Sequence, residues 1–486
     1  MKSKNIKLDT GYSIWISFGI FFALILLAPH LAFISSHVSL SSNEGWNAYL
    51  SQRAMGMDPA PLYPPSGQMV FNNYPPSSFY VVGLLGWLLG DMIVAGRIIA
   101  LVALLFCAYA AGRVVCVMGG TRAGSWFAGL LVIIYSAVFY SDYVGMDDPQ
   151  WLGQGIVMLG LLLLVDRASA SGRSTAWRTF GAGCVMVAGL SVKHNILALP
   201  AAVMVWLVLT DWRRAMVWLS GCLLALCVLG GLFYACFGPD FVHGVFGHKR
   251  IFYGYRILKG MSNVVGLSGM MVAGLFLRRM RLAHGYGLLL GLYLLLAVAF
   301  AIVQRMGTGV THNACFEALI AAAMCAGLAV SYLLKGGTLG RLPPRVTLVG
   351  MAGLNLLPVV VCMPTYLPYL YRITAADIVA HEGAWKDTIA AVHNIDGDVA
   401  CETLAMCYWA GKPAVIDFFN YSQHVAVTHE ATALEQAVDR QAIAAFVSSS
   451  RFGRLGEVWA FSNLWHIIRS RYTHVREQGA AYIVTP

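Results

Sequence analysis

Glu44, Asn47 and Ser51 fall on one face of a helix in the stretch EGWNAYLSQRAMG, just past the first long apolar run. A carboxylate at a membrane boundary is partly desolvated, so its basicity rises and it can take a proton from a hydroxyl. Glu44 equally suits the first turn of a helix through the dipole, and spacing alone leaves both roles open. Ser42 or Asn43 would serve as the N-cap. A second acidic site, YSDYVGMDDPQWLGQG, carries Asp142, Asp147 and Asp148. Adjacent carboxylates can hold a divalent cation or hydrogen-bond an acceptor. Asp148-Pro149 is also an ordinary helix start, with Asp as cap and Pro at the first position.

Basic residues supply the complementary chemistry. Lys193 and His194 interrupt an apolar hairpin in LSVKHNILALP, and Lys249, Arg250, Arg256 and Lys259 cluster in FGHKRIFYGYRILKG between Tyr253 and Tyr255. Cationic donors at headgroup level suit a lipid phosphate; contact with anionic headgroups or snorkelling is the plainer alternative. In GTGVTHNACFEALIAA, His312, Asn313 and Glu317 form a polar patch at the end of an apolar run. An acidic residue one turn inside such a helix is more often functional than decorative. Cys401 and Cys407 can pair in the polar tail; the other cysteines are scattered, mostly through apolar segments, without metal-ligand spacing.

The elements that must position these residues are membrane helices. The chain has 486 residues, is 58% hydrophobic and 12% charged, and has a mean hydropathy of +0.67, more apolar surface than a soluble protein could hide. The net charge of +10 comes mostly from short loops between apolar runs, which fits membrane orientation and argues against a nucleic-acid partner. Spans are expected near 12–34, 95–117, 122–140, 150–166, 179–193, 196–210, 215–237, 263–277, 284–303, 313–334 and 346–363, about eleven in all. With a cytoplasmic N-terminus, Arg113, Arg122, Arg213, Arg214, Arg278, Arg279, Arg281, Lys335 and Arg345 all lie inside, as the positive-inside bias requires. The first apolar run lacks a small-residue cleavage site and reads as a retained signal anchor.

SSFYVVGLLGWLLGD, residues 77–91, is too short to cross roughly 30 Å of hydrocarbon and reads as an interfacial or re-entrant helix. Residues 35–94 therefore form one outer loop. The tail, 364–486, follows an odd number of crossings and is expected outside as a small soluble α/β domain. Its expected strands are GDVACE, KPAVIDF, AIAAFVSSS and AAYIVTP, and its expected helices WKDTIAAVHN, TLAMCYWAG and ATALEQAVDRQ. The fold class is thus an all-α polytopic membrane protein (residues 1–363) with a small extracytoplasmic α/β domain.

At these residues the chain resembles the GT-C superfamily of membrane glycosyltransferases. Its members use polyprenyl-phosphate sugars and include the protein O-mannosyltransferases and the lipid A aminoarabinose transferases. The matching stretches are NEGWNAYLSQRAMGMDPAPLYP, NNYPPSSFYVVGLLGWLLGDMIVAGRIIAL, YVGMDDPQWLGQGIVMLGLLLL, GLSVKHNILALP and NACFEALIAAAMCAGLAV. Order and spacing carry the likeness, since each motif is degenerate.

The resemblance implies an inverting hexosyl or pentosyl transfer from a polyprenyl-phosphate sugar to a glycan, lipid or protein hydroxyl at the outer face of a bacterial inner membrane. Glu44 would be the general base, and Asp147 or Asp148 would orient acceptor or sugar. Lys193, Arg250 and Arg256 would steady the leaving phosphate, and Tyr74 with Pro75 and Pro76 would shape the pocket. Asn47, His194, Lys249, His312, Asn313 and Glu317 complete the expected binding set. Many members carry Asp at the base position where this chain has Asn43-Glu44, which leaves the register open by one residue. Metal dependence stays open as well: a divalent cation is possible and no other cofactor is implied. The alternative is a multi-span lipid or solute transporter, which predicts internal repeats and ionisable groups near the midplane.

Overall fold

The computed structural model describes residues 2–165, 172–247, 250–339, 343–372, 378–449 and 461–486. Helix α1 (Lys2–Phe33) leads into a long loop that carries α2 (Ser42–Ala54) and α3 (Ser77–Leu89). Then follow α4 (Met92–Val117), α5 (Arg122–Phe139), α6 (Gln150–Val165), α7 (Gly172–Leu190), α8 (Ala198–Thr210) and α9 (Trp212–Gly247). After α10 (Ile257–Val265) and α11 (Ser268–Gly274) come α12 (Tyr286–Gln304), α13 (Phe316–Leu334) and α14 (Pro344–Arg372). Among the described residues, α1, α4, α5, α9, α13, α14 and the stretch containing α12 are long and apolar enough to cross a membrane. The protein is therefore a polytopic helical membrane protein.

Every expected span falls on helix, yet four depart from the expectation of full, straight crossings. α6 and α8 are apolar but only 16 and 13 residues long. α7, though 19 residues long, opens on the polar run GRSTAWR and is not among the long apolar helices. The span expected at 263–277 is instead the pair α10–α11, bent by 78° at a short break. Gly266 sits in that break, where helix propensity is lowest. α9 runs ten residues past its expected end at 237, across a break where Gly238 takes φ +63° and Pro239 follows. Only glycine adopts that backbone freely, and Pro cannot donate to the preceding turn. α3 has the expected short length, and its Leu84, Trp87 and Leu88 are exposed, an apolar face suited to an interface.

α13 is the axis of the bundle. Its span is wholly buried, and small residues such as Ala318, Ala321, Ala322 and Ala326 let α4, α5, α11 and α12 close in on it. At one end Ser331 accepts from Thr121 N at 2.9 Å, tying α13 to the start of α5.

The expected division at residue 363 falls inside α14, which continues to Arg372. Beyond it lie α15 (Ile378–His393), β1 (Val399–Cys401), α16 (Leu404–Trp409), α17 (Phe418–Thr428), α18 (Thr432–Asp439) and β2 (Ala445–Ser448), then α19 (Ser462–Ile468), β3 (His474–Gln478) and β4 (Ala481–Thr485). The sheet order is β1-β2-β4-β3, with β1 and β2 parallel and the other pairs antiparallel. Alternation assigns its faces: Val399, Cys401, Ala445 and Val447 join a cluster with Trp46, Tyr49 and Leu50 of α2. Ala400, Phe446 and Val484 turn the other way, toward α17, α18 and α19.

Two expectations for the tail need correction. KPAVIDF is not a strand: its backbone is irregular as far as Asp417, the N-cap of α17, and its last residue, Phe418, opens that helix; Asp417 N donates to Met69 O. β3 was not expected, because four of its five residues are exposed and no apolar alternation marks it. Cys401 and Cys407 form a disulfide that joins the end of β1 to α16.

Candidate active site

Ser41, rather than Ser42 or Asn43, caps α2, and Glu44 stands in the first turn with no exposed surface. Arg97 on α4 grips it from two nitrogens, Nε to Oε1 and Nη2 to Oε2, each at 2.8 Å. Leu40 N and Ser39 Oγ donate to Oε2, and Asp147 N donates to Oε1. The rest of the guanidinium gathers the carbonyls of Phe33, Ile34, Ser36 and Val38, which closes the chain between α1 and α2. A buried ion pair is tolerated only when its remaining donors and acceptors are satisfied, as they are here.

Asn47 and Asp147 lie in the same buried layer. Asn47 Nδ2 donates to Asp147 O at 2.7 Å. Asp147 fits against α4 only because residue 96 is glycine: a Cβ there would stand 1.9 Å from Asp147 Oδ1. Burial, then the charges of Glu44 and Asp148, push the Asp147 carboxyl well above the usual range. Asp148 takes the helix-start role its position suggested, Oδ1 accepting from Gln150 N at the start of α6. Both its oxygens also accept from Lys193 Nζ at 3.1 Å, a pairing the sequence did not signal.

In front of this layer is a cavity of about 400 Å³. Of the expected residues, Tyr74, Lys193, His194, Arg250 and Asn313 line it. Lys193 Nζ also donates to Tyr74 Oη at 2.9 Å and sits 4.1 Å from the centre of that ring. Burial pulls the Lys193 ammonium toward neutrality, but the charge of Asp148 and the Tyr74 hydroxyl outweigh it and hold the pKa above the ordinary value. His194 goes the other way: burial, then the charges of Lys193 and Arg250, bring it down to about 4. At neutral pH the cavity therefore presents two cations beside a neutral imidazole.

The other expected residues are not on the lining. Glu44, Asn47, Asp147 and Asp148 stand behind it, while Asn43 faces it. Arg256 lies 4.9 Å from the Tyr253 ring centre, and His312 meets Asp142 at 3.3 Å on an exposed edge. Glu317 accepts from Ala198 N and Leu199 N and so caps α8. Lys249 lies outside the described residues. Among the described residues no three His, Cys, Asp or Glu side chains are grouped to hold a metal ion.

Several lining residues were not anticipated from the sequence. Asn73, Asn195, Gln304 and Tyr143 come from the first loop and the helix ends, and Glu402, Leu404, Asp417, Phe418, Phe419, Asn420 and Phe461 from the C-terminal domain. Asn73 adjoins the quoted Tyr-Pro-Pro segment, the one available signal; a strand-end glutamate such as Glu402 carried none. The C-terminal domain is seated by Trp409 Nε1, which donates to Asp91 Oδ2 at 2.9 Å, and by Met92 N, which donates to Tyr408 Oη at 2.8 Å. One wall of the cavity thus belongs to the membrane helices and their loops, and the other to the C-terminal domain.

No protein-family model matches the chain, and no curated protein matches it. Among the solved structures that share its fold are two states of one protein. ArnT from Cupriavidus metallidurans bound to undecaprenyl phosphate aligns with a TM-score of 0.64 and 13% identity over 97% of each chain. The apo state of the same protein aligns with a TM-score of 0.64 and 13% identity, over 97% of this chain and 98% of its own. The fold described above is the one these structures share with it.

Proposed function

We propose that the protein is an inverting glycosyltransferase that moves a hexosyl or pentosyl group from a polyprenyl-phosphate donor to a hydroxyl of a glycan, lipid or protein. The observation that carries this reading is the pairing of Lys193 and Arg250 on one cavity with amides, hydroxyls and aromatic rings between them. The fold it shares with ArnT, a protein seen with undecaprenyl phosphate, supports the choice of an anionic polyprenyl lipid. Lys193 and Arg250 bind the phosphate and hold the negative charge that grows on it as the glycosidic bond breaks. Asp148 and Tyr74 fix the Lys193 ammonium in place, and neutral His194 adds a donor or acceptor without adding charge. Glu44 acts at a distance, as a positioning residue: its ion pair with Arg97 sets the angle at which α2 presents Asn43 and Trp46 to the cavity.

The site faces the periplasm of a bacterial inner membrane, with the N-terminus in the cytoplasm. The Cys401–Cys407 disulfide beside the cavity supports that side, since such bonds persist in oxidising compartments. Binding of undecaprenyl phosphate to the purified protein in nanodiscs tests the reading. Wild type is expected to bind, and Arg250→Ala to bind about 10- to 100-fold more weakly, the worth of a hydrogen bond to a charged group. Equal binding by the two proteins, or none by wild type, would overturn it.

A further inference from the structure

The two walls of the cavity carry opposite chemistry. Among the described lining residues the only carboxylates are Glu402 and Asp417, and both belong to the C-terminal domain. Behind the lining, Asp147 is buried away from the cavity surface with its Oδ2 unpartnered among the described residues, while Glu44 is engaged by Arg97 and Asp148 by Lys193. Asp417 is also occupied: its Oδ1 accepts from Asn420 N at the start of α17, and its Oδ2 from Asn420 Nδ2. Glu402 differs from all of these. Its Oε2 accepts from Ser448 Oγ at 2.8 Å and from Ser449 N at 2.9 Å, while Oε1 has no donor among the described residues. The carboxylate is therefore aimed but not saturated. On the same wall, Asn420 is 5% exposed, and its Oδ1 has no partner among the described residues.

We propose that Glu402 takes the proton of the incoming hydroxyl, and that Asn420 with the rings of Phe419 and Phe461 seats a hydroxyl-rich acceptor against this wall. The proposal rests on the transferase reading above. In the step, the acceptor oxygen bonds to the anomeric carbon as the bond from that carbon to the phosphate oxygen breaks. The electron pair leaves with the phosphate toward Lys193 and Arg250, and the hydroxyl proton passes to Glu402 Oε1. Opposed charges serve the two ends of one displacement: cations where negative charge appears, a carboxylate where a proton departs. A ring bearing hydroxyls matches a wall that offers an amide, a carboxylate and two aromatic faces. The disulfide at Cys401 fixes the backbone one residue before Glu402.

Three measurements on the full-length protein in nanodiscs test this. Glu402→Gln is expected to bind undecaprenyl phosphate as wild type does; a wild type that does not bind overturns the transferase reading and this assignment with it. Transfer from undecaprenyl-phosphate sugars, with water and methyl hexosides as acceptor probes, is expected to fall about 100-fold or more in Glu402→Gln. It should recover in part in Glu402→Asp, with the acid limb of the pH profile shifted. Carbodiimide with glycine ethyl ester is expected to modify Glu402 and not Glu44, and undecaprenyl phosphate to slow the modification. Unchanged transfer by Glu402→Gln while its donor binding persists would overturn the proposal and leave the transferase reading standing. So would a Glu402 that resists the reagent, and labelling decides by itself for any donor that wild type does not turn over.

Discussion

Glu44 and Glu402 lie on opposite sides of one cavity, yet their surroundings have almost nothing in common. Five donors converge on Glu44, two of them from the Arg97 guanidinium, and no part of the residue reaches solvent. Glu402 has donors on one oxygen only, and it forms part of the cavity surface. A carboxylate whose lone pairs are already filled by an internal cation stabilises a fold. One that is held by a single oxygen keeps a direction and a free site for a proton. The comparison assigns the two glutamates to different tasks, and each task has its own signature on substitution.

The largest effect is expected on stability, at Glu44. Glu44→Gln leaves the Arg97 guanidinium buried without a counter-charge, and breaking a buried pair in this way costs about 3–5 kcal/mol. Thermal unfolding in detergent should show a large drop in Tm and a poor yield, with activity falling in step with the folded fraction. Glu402→Gln should leave Tm where it is. A Glu44→Gln protein with wild-type Tm and no turnover would reverse the assignment and make Glu44 the base.

The membrane helices were legible in the sequence for physical reasons, and so, as candidates, were two basic residues that line the cavity, Lys193 and Arg250. A bilayer demands about 20 apolar residues per crossing, so α4 or α13 announces itself, and a basic residue that interrupts or borders an apolar run stands out, as Lys193 and Arg250 do. The 78° bend between α10 and α11 has no such signal, because a broken span and a straight one share the same hydropathy. β3 escaped for the opposite reason: an exposed edge strand has no apolar pattern to read. In the site, the surroundings of Glu44 are set by Arg97, 53 residues along the chain, and those of Glu402 by Ser448, 46 residues along. Sequence shows which groups can ionise; which lone pairs stay open depends on the fold.

A middle-sized effect is expected from pH at Asp417, the buried carboxylate of the C-terminal wall. Burial, partly offset by its hydrogen bonds to Asn420, raises Asp417 from 3.8 to about 6. The folded state then holds this proton more tightly than the unfolded chain. The resulting stability is present in full below the unfolded value near 4 and is lost as pH rises through about 6. A shift of that size corresponds to at most about 3 kcal/mol. Between pH 4 and 7 the unfolding free energy of wild type should therefore decline more steeply than that of Asp417→Asn, which has no proton to lose. Parallel pH curves for the two proteins would show that Asp417 is charged and solvated, and would remove it from the buried cap of α17.

The smallest stability effect, and the finest test of the contrast, is expected at Asn420. Its Nδ2 bonds to the Asp417 carboxylate while its Oδ1 has no partner among the described residues. Asn420→Ala removes one hydrogen bond and also one buried acceptor that nothing satisfies. The two changes oppose each other, so the net loss should stay near about 1 kcal/mol. If Oδ1 is open because it awaits an acceptor hydroxyl, the cost appears elsewhere. The KM for a methyl hexoside should rise about tenfold, the worth of roughly 1.4 kcal/mol, while undecaprenyl phosphate binds as before. Glu402→Gln should lower kcat at a nearly constant KM, because proton transfer belongs to the transition state and hydroxyl binding to the complex that precedes it. Steady-state kinetics on the two variants distinguish these patterns. If Asn420→Ala lowered kcat with KM unchanged, it would act through Asp417 on the shape of the wall, and the acceptor would have to be seated by the aromatic rings alone.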